Sequence, residues 1–511
     1  MVVEYLKKGQ AMIINNFAKT IFESNKDDKV AIIHDQGATT YAELEQYVKQ
    51  FAYSLKEKNI DPGDRVLILM SDRIEWVVAF LGCMYIGAVP TVISPLLVPK
   101  KYTEAMDISR ATAIVTDVDQ KLINNKSITI FTPEDVVCSN NQLEQAHDFL
   151  PDEIAVINTS SGTTGKQKFI AHRHQNFVNY LNTIPGVFKC DQNSVHLCTS
   201  KLSHVAGFNV NVTITLGTHA TAIIMEKKYT PTRLYQLMTK HKVTHFHSQP
   251  GVYAMMTTNK KSLPIPSLEF AGCYSQQYPI KIAVLWQEIY GCAVHNGYGM
   301  SECFSLTMLQ TPYAERNLNI DTQLQDTSLG KPCPGVVCEI RNEQGITCEK
   351  NETGELYIHT PVAASYYLNN WEKSKETFVG KWIKTNDLVY LDDNDNIHYV
   401  CRKDNFVKIN GLLVSMEEVE KMLMDYDGIV DSLVQVYKNK QGLDKLKAQV
   451  VVAPNVNIDI VDIRHFLLGI LEVAKVPKYI EVIKELPLEI VNEVSKTPSG
   501  KKIKRLEQEV P

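Results

Sequence analysis

The sequence predicts an α/β fold, in which a large N-terminal domain of mixed and parallel sheets with helices precedes a small α+β domain. Across the first third of the chain, short β-branched runs alternate with helical patterns, as in βαβ units with a largely parallel sheet. Near residue 400, after a polar turn cluster, the hydrophobic pattern changes and new strand and helix patterns begin. These two observations predict two domains.

The early elements follow from local patterns. Residues 30–33 and 66–70 are β-branched and apolar, which predicts strands. Thr40 and Glu43 have the spacing of a capping box, and apolar residues at helical spacing follow them. A second helix is predicted to end near Gly87, and another strand to span residues 113–116. The α/β alternation is therefore continuous.

One apolar stretch, residues 76–98, is long enough to cross a membrane. Pro90 and Pro95 divide it, however, and Thr91 and Ser94 interrupt it. The stretch therefore predicts a buried helix and then a buried strand, with no membrane span.

The last part of the chain has its own pattern. Residues 388–400 predict a hairpin around the turn cluster at 392–396. Ser415 is predicted to cap a helix. The remaining predicted elements are strands at 433–436 and 448–452 and a helix at 461–471.

Composition restricts the possible partners and compartment. The chain has 53 Lys and Arg against 58 Asp and Glu, a net charge of −5, which disfavours nucleic acid as a partner. Its eleven cysteines include no Cys-x-x-Cys pair and suit a reducing compartment. The first ten residues do not resemble a secretory signal. We therefore expect a cytoplasmic protein.

The most informative segment is TSSGTTGKQK at residues 159–168. Gly162 and Gly165 allow a tight loop whose backbone N–H groups face an anion, and the hydroxyls add donors. The spacing does not fit the P-loop, which needs four residues between its glycines and a Ser or Thr after the Lys. Taken alone, the segment is also typical of a Ser/Thr/Gly surface linker.

Four motifs in order settle that choice. The decamer resembles the phosphate loop of the adenylate-forming superfamily, and NGYGMSE (296–302) resembles its adenine and magnesium motif. The segment from Lys384, KTNDLVYLDDNDNIHYVCRKDNFVKINGLLVSMEEVE, resembles the ribose motif and hinge, and KTPSGKKIKR (496–505) resembles the terminal lysine motif. The segments 229–256 and 365–378 are most similar to benzoate-CoA-ligase-type enzymes.

The resemblance implies an acyl-CoA synthetase that uses ATP, Mg²⁺ and coenzyme A. It implies an AMP-binding domain at 1–403 and a mobile lid at 404–511 that swings about a hinge at Asp404 and carries Lys501, the catalytic lysine. Glu302 and Thr163 would hold the metal, and Lys408 would enter the site for thioester formation. The implied ATP-binding residues are Thr159, Ser160, Ser161, Gly162, Thr163, Thr164, Gly165, Lys168, Asn296, Gly297, Tyr298, Gly299, Ser301, Asp387 and Arg402.

The acid site is implied to lie between KLSHVAGFNV (201–210) and AGCYSQQYP (271–279). His204 would separate the carboxylate from the nucleotide, although a structural core histidine is the competing interpretation. No Asp or Glu occurs from 192 to 225, which disfavours a substrate ammonium. An aryl or medium-chain acid is expected, because the small residues at 271–273 leave room for a flat or extended group. The implied pocket residues are His204, Gly207, Phe208, Ala271, Gly272 and Cys273.

Three functions remain open at this point. The first is a coenzyme A ligase acting on a small carboxylic acid, as a monomer or homodimer. The second is a stand-alone enzyme that loads the thiol of a carrier protein, and the third is a nonenzymatic nucleotide-binding regulator. Departures from the family motifs occur at Gln167, Phe169, Asn386 and Cys401, and none removes a charged catalytic residue.

Overall fold

The computed structural model describes most of the chain. The described residues are 16–23, 28–123, 128–137, 139–160, 167–257, 263–274, 278–310, 325–326, 328–403, 406–409, 412–438, 444–453, 456 and 458–483.

A large mixed sheet forms the centre of the N-terminal part. Its strands run in the order β18-β19-β22-β23-β17-β15-β14-β12-β11-β9-β10-β1-β2, and β21 pairs with β22. From β1 to β14 the neighbours β1, β10, β9, β11, β12 and β14 are parallel, and β15 then turns antiparallel. The strands are β1 (Val30–His34), β2 (Gly37–Thr40), β9 (Val195–Cys198), β10 (Thr221–Ile223), β11 (His245–Ser248), β12 (Phe270–Tyr274), β14 (Val294–Met300), β15 (Ser305–Leu309), β17 (Ser328–Pro332), β18 (Val337–Arg341), β19 (Gly354–His359), β21 (Phe378–Val379), β22 (Trp382–Leu391) and β23 (Ile397–Arg402).

A smaller sheet has the order β20-β8-β7-β4-β3-β5-β6. Its strands β7, β4, β3, β5 and β6 are parallel, and β8 and β20 are antiparallel additions. The strands are β3 (Arg65–Leu69), β4 (Val89–Val92), β5 (Ala113–Thr116), β6 (Thr129–Phe131), β7 (Ile154–Ser160), β8 (Lys168–Arg173) and β20 (Tyr366–Tyr367).

Helices pack between and around the two sheets. The largest cluster of buried apolar side chains joins α2 and α3 to residues of both sheets, including Val66 of β3 and Phe270 of β12. The helices are α1 (Phe17–Thr20), α2 (Tyr41–Glu57), α3 (Ile74–Ile86), α4 (Pro99–Ser109), α5 (Pro133–Val136), α6 (His174–Phe188), α7 (Val205–Phe208), α8 (Thr215–Gly217), α9 (Pro231–Lys240), α10 (Pro250–Thr257), α11 (Ile280–Tyr290), α12 (Trp371–Thr377), α13 (Met416–Met424) and α14 (Ile460–Ile470).

Residues after 403 build their own small sheets and core. Strands β24 (Phe406–Ile409) and β25 (Leu412–Ser415) pair, as do β26 (Ile429–Lys438), β27 (Asp444–Val452) and β28 (Tyr479–Ile483). One cluster of buried apolar side chains, drawn entirely from residues 407–480, packs these strands against α13 and α14. A further short pair joins β13 (Tyr278–Pro279) to β16 (Gln325–Asp326).

The local predictions are confirmed. Thr40 forms the capping box with Glu43 at the start of α2, and Gly87 ends α3 with a φ of 86° in the left-handed region. The apolar stretch 76–98 contains most of α3 and all of β4. Among the helices of the described residues, none combines the length and apolar character that a membrane crossing requires.

The partner of β1 does not follow from the order of strands along the chain. β1 and β3 are separated only by a short strand and a helix along the chain, yet they belong to different sheets. β1 pairs in parallel with β10, whose residues lie far along the chain, with Ile32 opposite Ala222. Hydrophobic periodicity indicates which residues form a strand but carries no information on its partner.

Candidate active site

The two ends of the predicted phosphate loop lie in adjacent strands. Ser160 at the end of β7 is paired with Lys168 at the start of β8, so the strands on either side of the loop are antiparallel neighbours. Thr159 is buried, and its hydroxyl donates to the carbonyl oxygen of Val92, 3.1 Å away. The roles predicted for the loop stay predictions, because its residues lie outside the described part of the chain: Ser161, Gly162, Thr163, Thr164 and Gly165.

Lys168 and Glu302 meet beside this hairpin. The Lys168 Nζ lies 3.9 Å from Glu302 Oε1 and 4.9 Å from the centre of the Tyr367 ring. The Tyr367 hydroxyl donates to the same Glu302 oxygen at 2.6 Å. Only 6% of Glu302 is exposed, so the nearby cation and the hydroxyl offset the cost of burying its carboxylate. Burial, together with the nearby Glu302 charge, raises the pKa of Tyr367 well above its usual value and keeps the hydroxyl a donor.

Residues of β8 and α6 support the backbone next to Glu302. His172 Nε2 donates to the carbonyl oxygen of Ser301 at 2.9 Å, and Asn176 Nδ2 lies 3.1 Å from His172 Nδ1. Burial lowers the pKa of His172 to about 3, so the neutral ring donates with one nitrogen and accepts with the other. Ala364 N donates to the Glu302 carbonyl oxygen at 2.8 Å. The turn that carries Ser301 and Glu302 is therefore fixed on both sides.

The turn after Glu302 has unusual backbone geometry. Phe304 and Ser305 have φ values of 55° and 105°, in a region that non-glycine residues rarely adopt. Such conformations persist where surrounding contacts enforce them, and they concentrate at functional sites. A Cβ on Gly299 would lie 1.8 Å from the Ser305 carbonyl oxygen, which explains the glycine at that position.

Tyr298 and Asp387 are in direct contact. The Tyr298 hydroxyl donates to Asp387 Oδ2 at 2.5 Å, and Arg402 Nη1 lies 3.6 Å from Asp387 Oδ1. Asp387 of β22 and Arg402 of β23 are register partners, so the hairpin itself places the cation beside the carboxylate. Asn386, which stands where the family motif has glycine, has a φ of 61°. Asn tolerates this conformation better than most residues, so the departure preserves the turn.

Asn296 lies on β14 next to these groups. It is 5% exposed, and its side-chain oxygen is buried without a hydrogen-bond partner among the described residues. Gly297 follows it on the same strand and pairs with Leu309 of β15. A buried acceptor of this kind carries a desolvation cost unless a donor reaches it.

The predicted acid-binding helix is a short helix that continues into a π-turn. His204 precedes α7, and a Cβ on Gly207 would lie 1.9 Å from the Lys201 carbonyl oxygen. Residues 209–214 form a π-helical segment, a geometry often found at functional sites. Phe208 is fully buried and packs on the rings of Phe80 and Phe304, so its side chain lies in the core. The pocket roles of these residues stay predictions.

The ring of Tyr274 lies next to the small residues at 271–273. Ala271 and Cys273 have no exposed surface. A Cβ on Gly272 would lie 2.2 Å from the Tyr274 hydroxyl oxygen, so the ring of Tyr274 occupies the volume next to this glycine. The ring therefore bounds the space next to the small side chains, and the role of Ala271, Gly272 and Cys273 in an acid pocket stays a prediction.

The residues predicted to act from the C-terminal part keep their roles as predictions. Lys408 lies on β24 opposite Leu413 of β25. Asp404, the predicted hinge, and Lys501, the predicted catalytic lysine, lie outside the described residues.

Sequence reasoning missed four residues that the structure brings into or beneath the site. Tyr367 contacts Glu302, His172 and Asn176 support the Ser301 carbonyl, and Tyr274 fills the space beside Gly272. Tyr367 lies in the segment 365–378, and Tyr274 in the segment 271–279. The resemblance of these segments to the family is the feature of the sequence that could have indicated both residues. His172 and Asn176 have the i, i+4 spacing of residues that share a helix face, but His172 is the strand residue two before α6.

These features together define the class of protein. The paired Lys168 and Glu302, and the contact of Asp387 with Tyr298 and Arg402, match the nucleotide and metal motifs of adenylate-forming, AMP-releasing ligases, and this protein is of that class. The model of the family described as AMP-binding enzyme matches residues 20–368, more than half of the chain. The chain belongs to that family.

Several relatives align with this chain over most of their own length. The benzoate–CoA ligase of Thauera aromatica is 26% identical, with 94% of this chain and 92% of the relative covered. The 4-hydroxybenzoate–CoA/benzoate–CoA ligase of Rhodopseudomonas palustris is 23% identical, with 93% and 89% covered. The crystal structure of a benzoate CoA ligase from Burkholderia xenovorans has a TM-score of 0.83 and 27% identity, covering 96% of this chain and 99% of that one.

Proposed function

We propose that this protein uses ATP to activate a carboxylic acid as an acyl-adenylate and then transfers the acyl group to coenzyme A. The observation that carries the proposal is a pair of contacting groups, Lys168 with Glu302 and Asp387 with Tyr298 and Arg402. The groups are joined by the chain, because Glu302 lies in the turn that directly follows the strand of Tyr298. The similarity to relatives named as aryl–CoA ligases supports the choice of acid and acceptor.

Two displacements make up the reaction. In the first, a carboxylate oxygen bonds to the α-phosphorus of ATP, and the bond from that phosphorus to the bridging oxygen breaks to release pyrophosphate. In the second, the coenzyme A thiol loses its proton, its sulfur bonds to the acyl carbon, and AMP leaves with the electrons of the C–O bond. Negative charge builds on the phosphates in the first step, and stabilising it is the main electrostatic task.

The residues fit the nucleotide. The buried acceptor on Asn296 suits the exocyclic amino group of adenine, and the Tyr298 ring would stack on the base. Asp387 would accept from the ribose hydroxyls, with Arg402 adding a charge-assisted bond. Lys168 and the loop 159–165 would hold the β- and γ-phosphates, and Ser301 would contact the α-phosphate.

The carboxylate of Glu302 fits a magnesium ion that also binds the phosphates. Oε1 accepts from the Tyr367 hydroxyl and lies near Lys168, so Oε2 would be the oxygen that holds the ion. Mg²⁺ is commonly bound by one or two carboxylates together with substrate phosphates, and Thr163 would supply a further oxygen. When bound, the ion neutralises charge on the transferring phosphate.

The acid is proposed to be an aryl or medium-chain acid bound between His204 and the end of β12. The described residues from 192 to 225 offer no carboxylate for a substrate ammonium, which disfavours amino acids. The proposed pocket comprises His204, Gly207, Phe208, Ala271, Gly272 and Cys273.

The two steps are proposed to share one nucleotide site through movement of residues 404–511 against 1–403 about Asp404. Lys501 would serve adenylation, and the segment containing Lys408 and Gly411 would serve thioester formation. The separate core of residues 407–480 supports such a movement, because few apolar contacts need to be broken. We further propose a cytoplasmic monomer or homodimer.

ATP–pyrophosphate exchange over a panel of aryl and fatty acids, repeated with coenzyme A, tests the proposal. Exchange with an acid and AMP release that requires coenzyme A are expected. AMP release that requires a carrier-protein thiol in place of coenzyme A would favour the carrier alternative, and no exchange with any acid would favour a nonenzymatic regulator.

Lys501→Ala tests the domain movement. The variant is expected to lose adenylation about 100- to 1000-fold, as when one transition-state donor is removed, while preformed acyl-AMP is still converted to thioester. Lys502→Ala, at the adjacent lysine, is the matched control. Equal loss in both half-reactions would contradict the movement.

A further inference from the structure

Tyr274 is the last residue of β12, between two strands that run in the same direction. β11 flanks β12 on one side and β14 on the other, and all three are parallel. In open α/β sheets, ligands bind outside the carboxyl ends of parallel strands. Tyr274 therefore stands at the edge where the substrate site is expected, and its side chain is partly exposed there.

The ring of Tyr274 covers two glycines. A Cβ on Gly297 would lie 2.6 Å from Tyr274 Cε1, and a Cβ on Gly272 would lie 2.2 Å from the Tyr274 hydroxyl oxygen. Gly297 is the register partner of Tyr274 on β14. The ring thus lies flat against backbone that only glycine permits, and its position depends on both glycines.

Two buried histidines hold the hydroxyl. Tyr274 Oη lies 3.0 Å from His247 Nδ1, and His247 Nε2 lies 3.3 Å from His196 Nδ1. The Tyr274 and His247 rings are nearly parallel, at 12°, with centroids 5.9 Å apart. Burial lowers the pKa of both histidines well below the usual value, so the chain of hydrogen bonds is uncharged. The hydrogen bonds from Tyr274 through His247 to His196 fix the Tyr274 ring in one orientation.

The neighbouring strand connects this ring to the reaction. In the proposed function the acid must reach the α-phosphate of a nucleotide bound at Asn296 and Tyr298, and Gly297 lies between them on β14. The apolar part of an acid that extends from this point toward β12 meets the Tyr274 ring.

We propose that Tyr274 is the end wall of the acid pocket and limits the protein to compact acids. The inference rests on the proposed function and narrows its substrate class: an unsubstituted aryl ring or a short chain fits in front of the ring, and a longer chain or a 4-substituted ring does not. Tyr274 acts as a specificity-determining residue, through its size.

The test is a profile of acid size in the wild type and in Tyr274→Ala. Initial rates of acid-dependent pyrophosphate release are measured with straight-chain acids from acetate to dodecanoate and with benzoate and its 4-alkyl derivatives. The variant is expected to move the optimum of kcat/KM to larger acids, with a change of about 10- to 200-fold per methylene near the size limit. Compact acids are expected to gain nothing.

Two further variants separate the wall from a structural role. Tyr274→Phe keeps the ring and loses the hydroxyl, so its size optimum should match that of the wild type. Tyr274→Leu opens a smaller space and should move the optimum by less than Tyr274→Ala, and it takes the place of that variant if Ala prevents folding.

An unchanged size profile in Tyr274→Ala and Tyr274→Leu would overturn the inference, as would an equal loss of rate with every acid. Failure of the proposed function looks different, because the wild type would then show no acid-dependent pyrophosphate exchange with any member of the panel.

Discussion

Two neighbouring regions of the site differ in charge. The nucleotide region contains four charged side chains in two pairs, Lys168 with Glu302 and Arg402 with Asp387. The acid region around Tyr274 contains three titratable side chains that are neutral, since desolvation lowers the pKa of His196 and His247 and raises that of Tyr274. The two regions meet at Gly297 of β14. This glycine lies between Asn296 and Tyr298 of the nucleotide region and is the register partner of Tyr274 in the acid region.

The difference follows from what each region is proposed to bind. A polyphosphate and its metal require charges, and each buried charge here has a partner that offsets its desolvation. An apolar acid gains nothing from an ionised neighbour, and a buried ion would favour water in the pocket. The site therefore places charge where charge develops and keeps the adjoining pocket uncharged.

The largest effect is expected from a substitution that removes the charge of Glu302. Glu302→Gln keeps an acceptor for Tyr367 but loses the negative charge, and ATP–pyrophosphate exchange should fall about 100- to 1000-fold. Glu339→Gln, at a carboxylate paired with Arg341 on β18, is the matched control and should retain full exchange. A Glu302 variant with wild-type exchange would show that the buried charge is not used in catalysis.

The second effect concerns the ribose carboxylate. Asp387→Asn is expected to raise KM for ATP about 10- to 100-fold, because a hydrogen bond to a charged group contributes about 1.5–3 kcal/mol. The Tyr298 hydroxyl can still donate to the amide oxygen, so thermal stability should change little. Asp393→Asn, in the exposed turn of the same hairpin, is the control. Equal KM values in the two variants would exclude Asp387 from nucleotide binding.

A smaller effect is expected from the hydroxyl that contacts Glu302. Tyr367→Phe leaves Oε1 of Glu302 without its closest donor, and the concentration of Mg²⁺ that gives half-maximal exchange should rise about tenfold, as for other residues that orient a metal ligand. Tyr366→Phe removes a hydroxyl from the adjacent residue and is the control. A change in maximal rate with no change in Mg²⁺ dependence would assign Tyr367 a different role.

The smallest effect concerns the neutral region and appears as pH dependence. The folded pKa of His247 lies below that of the unfolded chain, so the unfolded state binds the proton first as pH falls. Stability contributed by the neutral ring is present above about pH 6.5 and is lost below it, by about 1.4 kcal/mol per pH unit. His247→Gln should therefore reduce the drop in Tm between about pH 7.5 and about pH 5.5. An identical drop in both proteins would mean that His247 titrates alike in the folded and unfolded chain.

Local physics made much of the fold predictable. The capping box at Thr40 and the left-handed end of α3 at Gly87 depend on residues a few positions apart, and both are confirmed. The hairpin around 392–396 is confirmed for the same reason. Pairing between distant segments is different. β1 pairs with β10, and neither segment alone contains information on that partner.

In the site, too, some contacts could be predicted from the sequence and others could not. The meeting of Tyr298 with Asp387, and of Lys168 with Glu302, followed from a resemblance to known motifs. Tyr367 could not be assigned, because its role arises only when β20 adds to the edge of β8. Tyr274 was overlooked because the small residues before it suggested space, whereas the direction of its own ring decides whether that space exists.

The short strand β20 has a mechanical consequence. The chain leaves the larger sheet after β19, adds two residues to the smaller sheet beside β8, and returns to the larger sheet at β21. Tyr367 in this crossing bonds to Glu302, which follows β14 of the larger sheet. The crossing thus ties the two sheets together at the carboxylate, and neither sheet can loosen without disturbing it. We expect the two sheets to melt as a single cooperative unit, in which loss of activity coincides with loss of structure.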